Sequence, residues 1–345
     1  MHSKRLRPSD WHILNEVKDR EGFLQYLSTT SSYGPWVGQI VAHREQNEEL
    51  FETRIYSALF DDYRKILKSL TNAPSRELVL GLFSRFEAEN LKVTLRAIFS
   101  GLKRIHVSHL LYPLGRMSRL PWEGLWRQKD IKDAVRLLAN TRFGPMLNHA
   151  LPQFEAQGRL FPLEMAIDIS CFRRISDAIE ALSDRLDRTR VKEVVGSYID
   201  VLNICHIARL RFIYGLSPEE ALNYSYPGGK ELNLKTLHAL ARAEDLPSLA
   251  KILEEPFKGL IQGSQSNLFQ MRRNLEGWLI RRIRRAFLGS PFHLGVQVAH
   301  LLEKEMEIKS IISLYQAKVQ SPQKPAEEIV PGILLKGGDQ VVQAS

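Results

Sequence analysis

Apolar residues recur along nearly the whole chain with the spacing of one helix face. In residues 51–70 they follow the i, i+3, i+4 pattern, and charged residues occupy the opposite side. No proline occurs between Pro162 and Pro218, which leaves room for two long helices joined near residues 183–190. No convincing alternating run of strand length appears before the C-terminal tail. The sequence therefore predicts an all-α fold, with residues 51–70 as one continuous helix.

The helical pattern repeats with a period near 112 residues. Tyr33-Gly34-Pro35 aligns with Phe143-Gly144-Pro145 at an offset of 110 residues. A long helix ending at Gly101 parallels one ending at Gly215, and a fainter third copy begins near residue 249. Each copy is large enough to form a helical bundle. The sequence thus predicts three related bundles around a pseudo-threefold axis, at residues 1–113, 114–230 and 231–320, followed by a mobile tail at 321–345.

Basic residues outnumber acidic ones, 48 to 39, which gives a net charge of +9. This excess is compatible with nucleic acid, anionic lipid headgroups or an acidic protein as a partner. Most charges are interspersed, but six arginines and a single acid lie in residues 272–285. The buried stripe of this predicted helix, with members spaced by four, consists of Leu275, Leu279, Ile283 and Phe287.

The same helix supplies the candidate site residues. Because the stripe faces inward, we expect Arg281, Arg284 and Arg285 to share the exposed side. There they would meet either solvent or an acidic partner surface. Both interpretations stay open at the level of the sequence.

The sequence predicts no catalytic residue, cofactor or metal site. Pro227-Gly228-Gly229-Lys230 lacks the first glycine and the final hydroxyl of a phosphate-binding loop, and we interpret it as a plain turn. His106 and His109 have no glutamate at zinc-protease spacing. Glu164 and Asp168 share one helix face, where a hydrogen-bonded structural role between neighbouring helices is expected.

Two cysteines, Cys171 and Cys205, are too few for a disulfide framework. Both lie in apolar helical patterns, so we expect buried free thiols and a reducing compartment. No stretch has the apolar length of a signal peptide or of a membrane span, which needs about 20 residues. The expected location is the cytoplasm.

The order of these elements resembles one protein family, the C subunits of the V/A-type ATPases, whose counterpart in the eukaryotic vacuolar enzyme is the d subunit. The best single match is Lys304-Glu305-Met306-Glu307-Ile308, which is similar to an E-x-E-I element in the family's C-terminal helix. The elements Glu87–Asn90 and Asp200–Asn203 look like the family's acid–x–x–Asn helices. The resemblance covers roughly residues 12–319, and it departs from the family where an aromatic, arginine-rich first helix would stand.

The resemblance implies a mechanical role. Such a protein is a non-catalytic, funnel-shaped socket in the central stalk, between the membrane rotor ring of proteolipid subunits and the central shaft, which consists of the D and F subunits. It couples ATP hydrolysis or synthesis to proton or sodium transport, is peripheral to the membrane, and needs no cofactor and no nucleic acid. Arg281, Arg284 and Arg285 are then candidates for a partner interface. The alternative is a basic all-α repeat scaffold that binds nucleic acid or an acidic protein.

Overall fold

The computed structural model describes residues 5–17, 19–42, 50–257 and 267–320. Over these ranges the backbone forms helices, turns and loops and no strand, so the predicted all-α fold is confirmed. The predicted tail at 321–345 lies outside the described residues. In chain order the helices are α1 (Pro8–Glu16), α2 (Arg20–Thr30), α3 (Gly34–Ala42), α4 (Phe51–Arg54), α5 (Ser57–Ser69), α6 (Ala73–Phe99), α7 (Arg104–Val107), α8 (Trp122–Leu125), α9 (Ile131–Leu137), α10 (Gly144–Gln157), α11 (Phe161–Glu180), α12 (Arg185–Val191), α13 (Ser197–Phe212), α14 (Pro218–Asn223), α15 (Leu234–Arg242), α16 (Leu246–Leu253), α17 (Leu268–Arg285) and α18 (Leu294–Gln320), with 3₁₀ turns at Ser108–Leu110 and Gly115–Met117 and a π-helical segment at Lys192–Gly196.

The chain divides into two compact units. The first unit combines residues 1–45 with residues 184–345, and the second unit consists of residues 46–183. Helices α1–α3 and α12–α18 therefore belong to the first unit, and α4–α11 to the second. The threefold division of the chain and the funnel-shaped arrangement stay predictions.

The second unit is built around the packing of α6 against α11. A Cβ atom at Gly81 would lie 3.3 Å from Cγ1 of Ile175, so this glycine lets the two helices approach closely. Aromatic rings pack edge to face nearby, with the ring centroids of Tyr56 and Tyr112 4.8 Å apart. The fully buried apolar residues of the adjoining core include Leu91, Leu95, Leu125, Ala134, Val135, Leu138, Phe143, Leu147, Leu163 and Ile167.

Two helices, α4 and α5, replace the single helix predicted for residues 51–70. Ile55 and Tyr56 lie between them, and both side chains are buried. The backbone N–H of Ala58 donates to the carbonyl oxygen of Ile55 at 3.2 Å, only three residues back. This tightened turn interrupts the α-helical hydrogen bonding. The prediction of one continuous helix over residues 51–70 was wrong. Apolar residues keep the same spacing before and after the break, so the sequence pattern does not reveal it.

Helix α18 packs within the first unit against α2, α12, α17 and the π-helical segment Lys192–Gly196. Apolar residues such as Leu301, Ile308 and Ile311 are fully buried on it. Several charged side chains of the same helix are also buried, namely Glu303, Lys304, Glu305 and Glu307. A buried charge costs free energy unless it is paired and hydrogen-bonded, so these groups require partners inside the unit.

Two turns that the predicted repeat aligns have the same local geometry. The N–H of Gly34 donates to the Ser31 carbonyl at 3.1 Å, and the N–H of Gly144 donates to the Thr141 carbonyl at 3.0 Å. A Cβ atom on Gly34 would lie 2.5 Å from a backbone oxygen, and one on Gly144 would lie 2.1 Å from one. Only glycine fits at either position.

The two acid–x–x–Asn helices also share a detailed interaction. The side-chain amide of Asn90 donates to the Tyr112 carbonyl at 2.9 Å and accepts from the Tyr112 N–H at 2.8 Å. The amide of Asn203 makes the same pair of bonds with Tyr226, at 2.8 and 2.7 Å. These correspondences are local and involve the first two predicted copies only.

Candidate interaction surface

Helix α17 carries the arginines that the sequence singled out. It begins after Asn267, whose side chain caps the helix by accepting from the N–H of Gln270 at 3.1 Å. The predicted stripe residues Leu275, Leu279 and Ile283 are buried, as expected. The fourth predicted member, Phe287, lies beyond the helix end at Arg285 and is only half-buried.

Arg281 and Arg285 lie on the exposed side of α17, as the sequence predicted. Neither forms an ion pair with any residue in the described part of the chain. Partial burial lowers the pKa of Arg281, and the positive charge of Arg285 lowers it further. The two guanidinium groups, four residues apart, repel each other slightly. An acidic partner would relieve this repulsion.

The prediction is wrong for Arg284, which does not lie on the exposed side of α17. Its Nε donates to Oε1 of Glu303 on α18 at 2.8 Å, and its side chain is 27% exposed. The carboxylate of Glu303 is almost fully buried. Arg284 therefore turns toward the core because a buried acid there attracts it, and its local role is to neutralise that acid.

A second arginine, Arg5, pairs with the same carboxylate from the N-terminal segment. Burial lowers the pKa of Arg5 to about 10. One turn further along α18, Glu307 accepts from the backbone N–H of Leu6 at 3.2 Å and from the hydroxyl of Tyr33. Burial raises the pKa of Glu307, although the bond from Tyr33 and the charge of Arg5 oppose that rise. Glu307 of the Lys304–Ile308 element and the preceding acid, Glu303, thus hold residues 5 and 6 on α18.

The glycine-rich turn at residues 227–230 wraps around a carboxylate of its own chain. Asp200 on α13 accepts from the backbone N–H groups of Lys230, Glu231 and Leu232, at 3.0, 2.7 and 3.2 Å. A Cβ atom at Gly229 would lie 2.3 Å from Oδ1 of Asp200. Because Gly229 has no side chain, the carboxylate of Asp200 can lie close to the backbone of the turn. Burial raises the pKa of Asp200 to about 6, against the effect of the three N–H donors.

The carboxylates of the second unit also serve internal ion pairs. Asp168 on α11 accepts from Nζ of Lys92 on α6 at 2.9 Å, and Glu164 accepts from the guanidinium of Arg96 at 3.0 Å. The expected bridging role of this acidic pair is confirmed. The buried Glu87 of the acid–x–x–Asn element pairs with a guanidinium nitrogen of Arg142 at 2.8 Å.

The remaining candidates show no chemical site. In the described ranges no group of three or more His, Cys, Asp or Glu side chains could hold a metal ion. Nδ1 of His106 accepts from the backbone N–H of Lys103, which fixes it at a helix start. Cys171 and Cys205 are free thiols, the first buried and the second half-buried. Burial raises their pKa values to about 12 and about 11.

The fold and the surface of α17 together define the class of protein. Within the described residues, the buried acids discussed above are engaged by partners of their own unit, and α17 presents unpaired guanidinium groups outward. The chain is therefore an all-α protein with exposed arginines on one face of α17. The chain belongs to the family of ATP synthase (C/AC39) subunits, whose sequence model matches residues 1–328. The resemblance found in the sequence is confirmed.

Curated relatives from archaea are named as the C subunits of A-type ATP synthases. The one from Methanothermobacter thermautotrophicus is 24% identical over 311 residues, which cover 88% of this chain and 77% of the relative. The one from Methanocaldococcus jannaschii is 24% identical over 339 residues, with 95% and 83% covered. The one from Haloferax volcanii is 25% identical over 251 residues, or 70% of each chain. Among the residues described, none of the helices has the length and apolar character to cross a membrane.

Proposed function

We propose that the chain is a non-catalytic component of the central stalk of a rotary ATPase. In this proposal it is a socket that links the membrane ring of proteolipid subunits to the D and F subunits of the shaft, on the cytoplasmic side of the membrane. The observation that carries it is the family match over residues 1–328, together with relatives named as C subunits of A-type ATP synthases. The comparisons give no support to a nucleic-acid-binding scaffold.

The chemistry of the described residues supports a role in transmission of torque. A protein that transmits torque needs a stiff body, and ion pairs such as Arg284–Glu303 and Lys92–Asp168 join neighbouring helices inside each unit. It also needs outward groups that can pair with a partner. Arg281 and Arg285 are such groups, and an acidic surface of the shaft or ring fits them.

A bridging experiment tests the link directly. Detergent-solubilised proteolipid ring is immobilised and incubated with purified D/F shaft, with and without the full chain. We expect the shaft to be retained only when the chain is present. Retention of the shaft without the chain, or no retention in its presence, contradicts the socket role.

Two variants test the surface. The double variant Arg281→Ala/Arg285→Ala should weaken bridging by about tenfold, which corresponds to about 1.4 kcal/mol. The double variant Arg127→Ala/Arg159→Ala is the matched control, because it also removes two exposed arginines without ion pairs in the described residues. Equal bridging by both double variants would remove α17 from the interface.

A further inference from the structure

A cavity of about 370 Å³ opens in the first unit between α13, α17 and α18. Its floor is apolar and buried, formed by Val201, Leu279 and Met306. This volume lies within the range of about 300–1,000 Å³ typical of small-molecule sites. The share of one water in the liquid is about 30 Å³, so the cavity has room for more than a simple inorganic anion.

The residues that line this cavity carry an excess of positive charge, although Nζ of Lys309 pairs with Glu305 at 2.7 Å. Four of its lining residues are basic and one, Glu276, is acidic. Nε of Arg272 pairs with Glu276 at 2.8 Å, which holds its guanidinium at the wall. Arg209 on α13 is exposed and has no ion-pair partner in the part of the chain that the structure describes. A guanidinium group of this kind binds phosphate through two parallel N–H donors.

Aromatic rings provide the second feature. Phe269 lines the cavity and is 60% exposed, with the guanidinium of Arg273 5.9 Å from its ring centroid. On another wall the ring of His206 stacks on Tyr226, with centroids 5.1 Å apart and an interplanar angle of 22°. Flat aromatic faces beside cations suit a planar or apolar body that carries negative charge.

The cavity is separate from the arginines of the proposed interface. Arg272 and Arg281 are nine residues apart on α17, which places them on opposite faces of a helix with 3.6 residues per turn. The same spacing separates Glu276 from Arg285. Helix α17 therefore has two basic faces, and only the face with Arg281 and Arg285 belongs to the proposed interface.

We propose that this cavity binds an organic phosphate, with its phosphate group at Arg209 and Arg272 and its planar or apolar body against Phe269 and the apolar floor. A body without charge would leave the cations unused, and inorganic phosphate would leave the floor and rings uncovered. The proposal does not depend on the socket role, because it concerns the opposite face of α17.

Calorimetric titration of the full chain tests the ligand class. The probes are ADP, inorganic phosphate, adenosine, and vesicles with and without phosphatidic acid. We expect saturable 1:1 binding of ADP, at least about tenfold tighter than inorganic phosphate or adenosine. Binding of phosphatidic acid vesicles alone would assign a lipid source for the same organic phosphate. Binding of neither, or equal binding of inorganic phosphate and ADP, overturns the proposal.

Variants locate the site. Arg209→Ala should weaken binding of the probe that binds most tightly to the unaltered chain by about tenfold or more, since it removes a hydrogen bond to a charged group. Arg281→Ala, on the opposite face of the neighbouring α17, is the matched control and should leave the affinity unchanged. Thermal unfolding of both variants checks that they are folded.

Cys205 lines the cavity, so bound ligand should also slow its modification by a thiol reagent. Equal loss of affinity in both variants, or no protection of Cys205, overturns the location.

Discussion

Nε of Arg284 on α17 lies 2.8 Å from Oε1 of Glu303 on α18, and the guanidinium of Arg5 pairs with the other oxygen of that carboxylate. The acid is therefore held between two cations, one from a helix 19 residues away and one from a segment 298 residues away in the chain. This arrangement separates Arg284 from its neighbours Arg281 and Arg285, which face outward. We therefore expect substitutions at Arg284 and at Arg281 to affect stability differently.

Arg284→Ala should lower the free energy of unfolding by about 1–3 kcal/mol, because a buried carboxylate loses one of its charged donors while Arg5 remains. Arg281→Ala should change it by no more than about 0.5 kcal/mol, as is usual for exposed sites. Urea-induced unfolding followed by circular dichroism measures both. Equal stability of the two variants would mean that the Arg284–Glu303 pair contributes nothing.

The two-way bond between Asn203 and Tyr226 gives a second prediction. Asn203→Ala should destabilise the first unit by about 1–3 kcal/mol, because it leaves the Tyr226 N–H and carbonyl buried without this partner. Asn223→Ala, at an exposed position at the end of α14, is the control and should be close to neutral. Hydrogen exchange of the Tyr226 amide gives a local readout. Unchanged exchange in Asn203→Ala would contradict the assigned role.

The buried Asp200 predicts a pH dependence. Its folded pKa of about 6 lies above the usual 3.8, so between these pH values the folded state holds a proton that the unfolded state has lost. Stability from this group is therefore fully present below about pH 4 and is lost as pH rises to about 6, by up to about 3 kcal/mol.

Asp200→Asn removes this titration, so its unfolding free energy should fall less steeply between pH 4 and pH 6 than that of the unaltered chain. The comparison concerns slopes, since the amide cannot accept all three backbone N–H bonds and lowers stability at every pH. Denaturant unfolding at four or five pH values measures the two slopes. Parallel curves would show that Asp200 titrates as it does in the unfolded chain.

The thiols give a fourth prediction. Burial raises both pKa values far above neutrality, so neither cysteine presents a thiolate at pH 7. With a disulfide reagent at pH 8, Cys205 should react slowly, and Cys171 should react only when the second unit unfolds. Single-cysteine variants, Cys171→Ser and Cys205→Ser, assign the two phases. A fast reaction of Cys171 in the folded chain would contradict its burial.

Local signals in the sequence predicted much of the fold. Apolar spacing identified the inward stripe of α17 through Leu275, Leu279 and Ile283, and the aligned glycines marked two turns that share their geometry. These features depend on residues within a few turns of one another. The break at Ile55 and Tyr56 could not be predicted, because the apolar residues of α4 and α5 follow one continuous helical spacing.

The candidate site could be predicted only in part, for a physical reason. Helix periodicity places Arg284 beside Arg281 and Arg285, but it contains no information about Glu303 on another helix or about Arg5 near the N-terminus. Likewise, the sequence around Asp200 contains no information about the turn at 227–230, whose backbone closes around this carboxylate. A buried acid in an apolar run, such as Glu303 or Glu307, is the one signal that could have indicated distant basic partners.

In the proposed function, the chain joins the ring to the shaft of a rotary ATPase. Co-purification from native membranes under mild detergent tests it most directly, with the full chain tagged and its partners identified by mass spectrometry. We expect proteolipid, D and F subunits to be recovered together with the chain in one complex. Recovery of the chain without both ring and shaft subunits would contradict it.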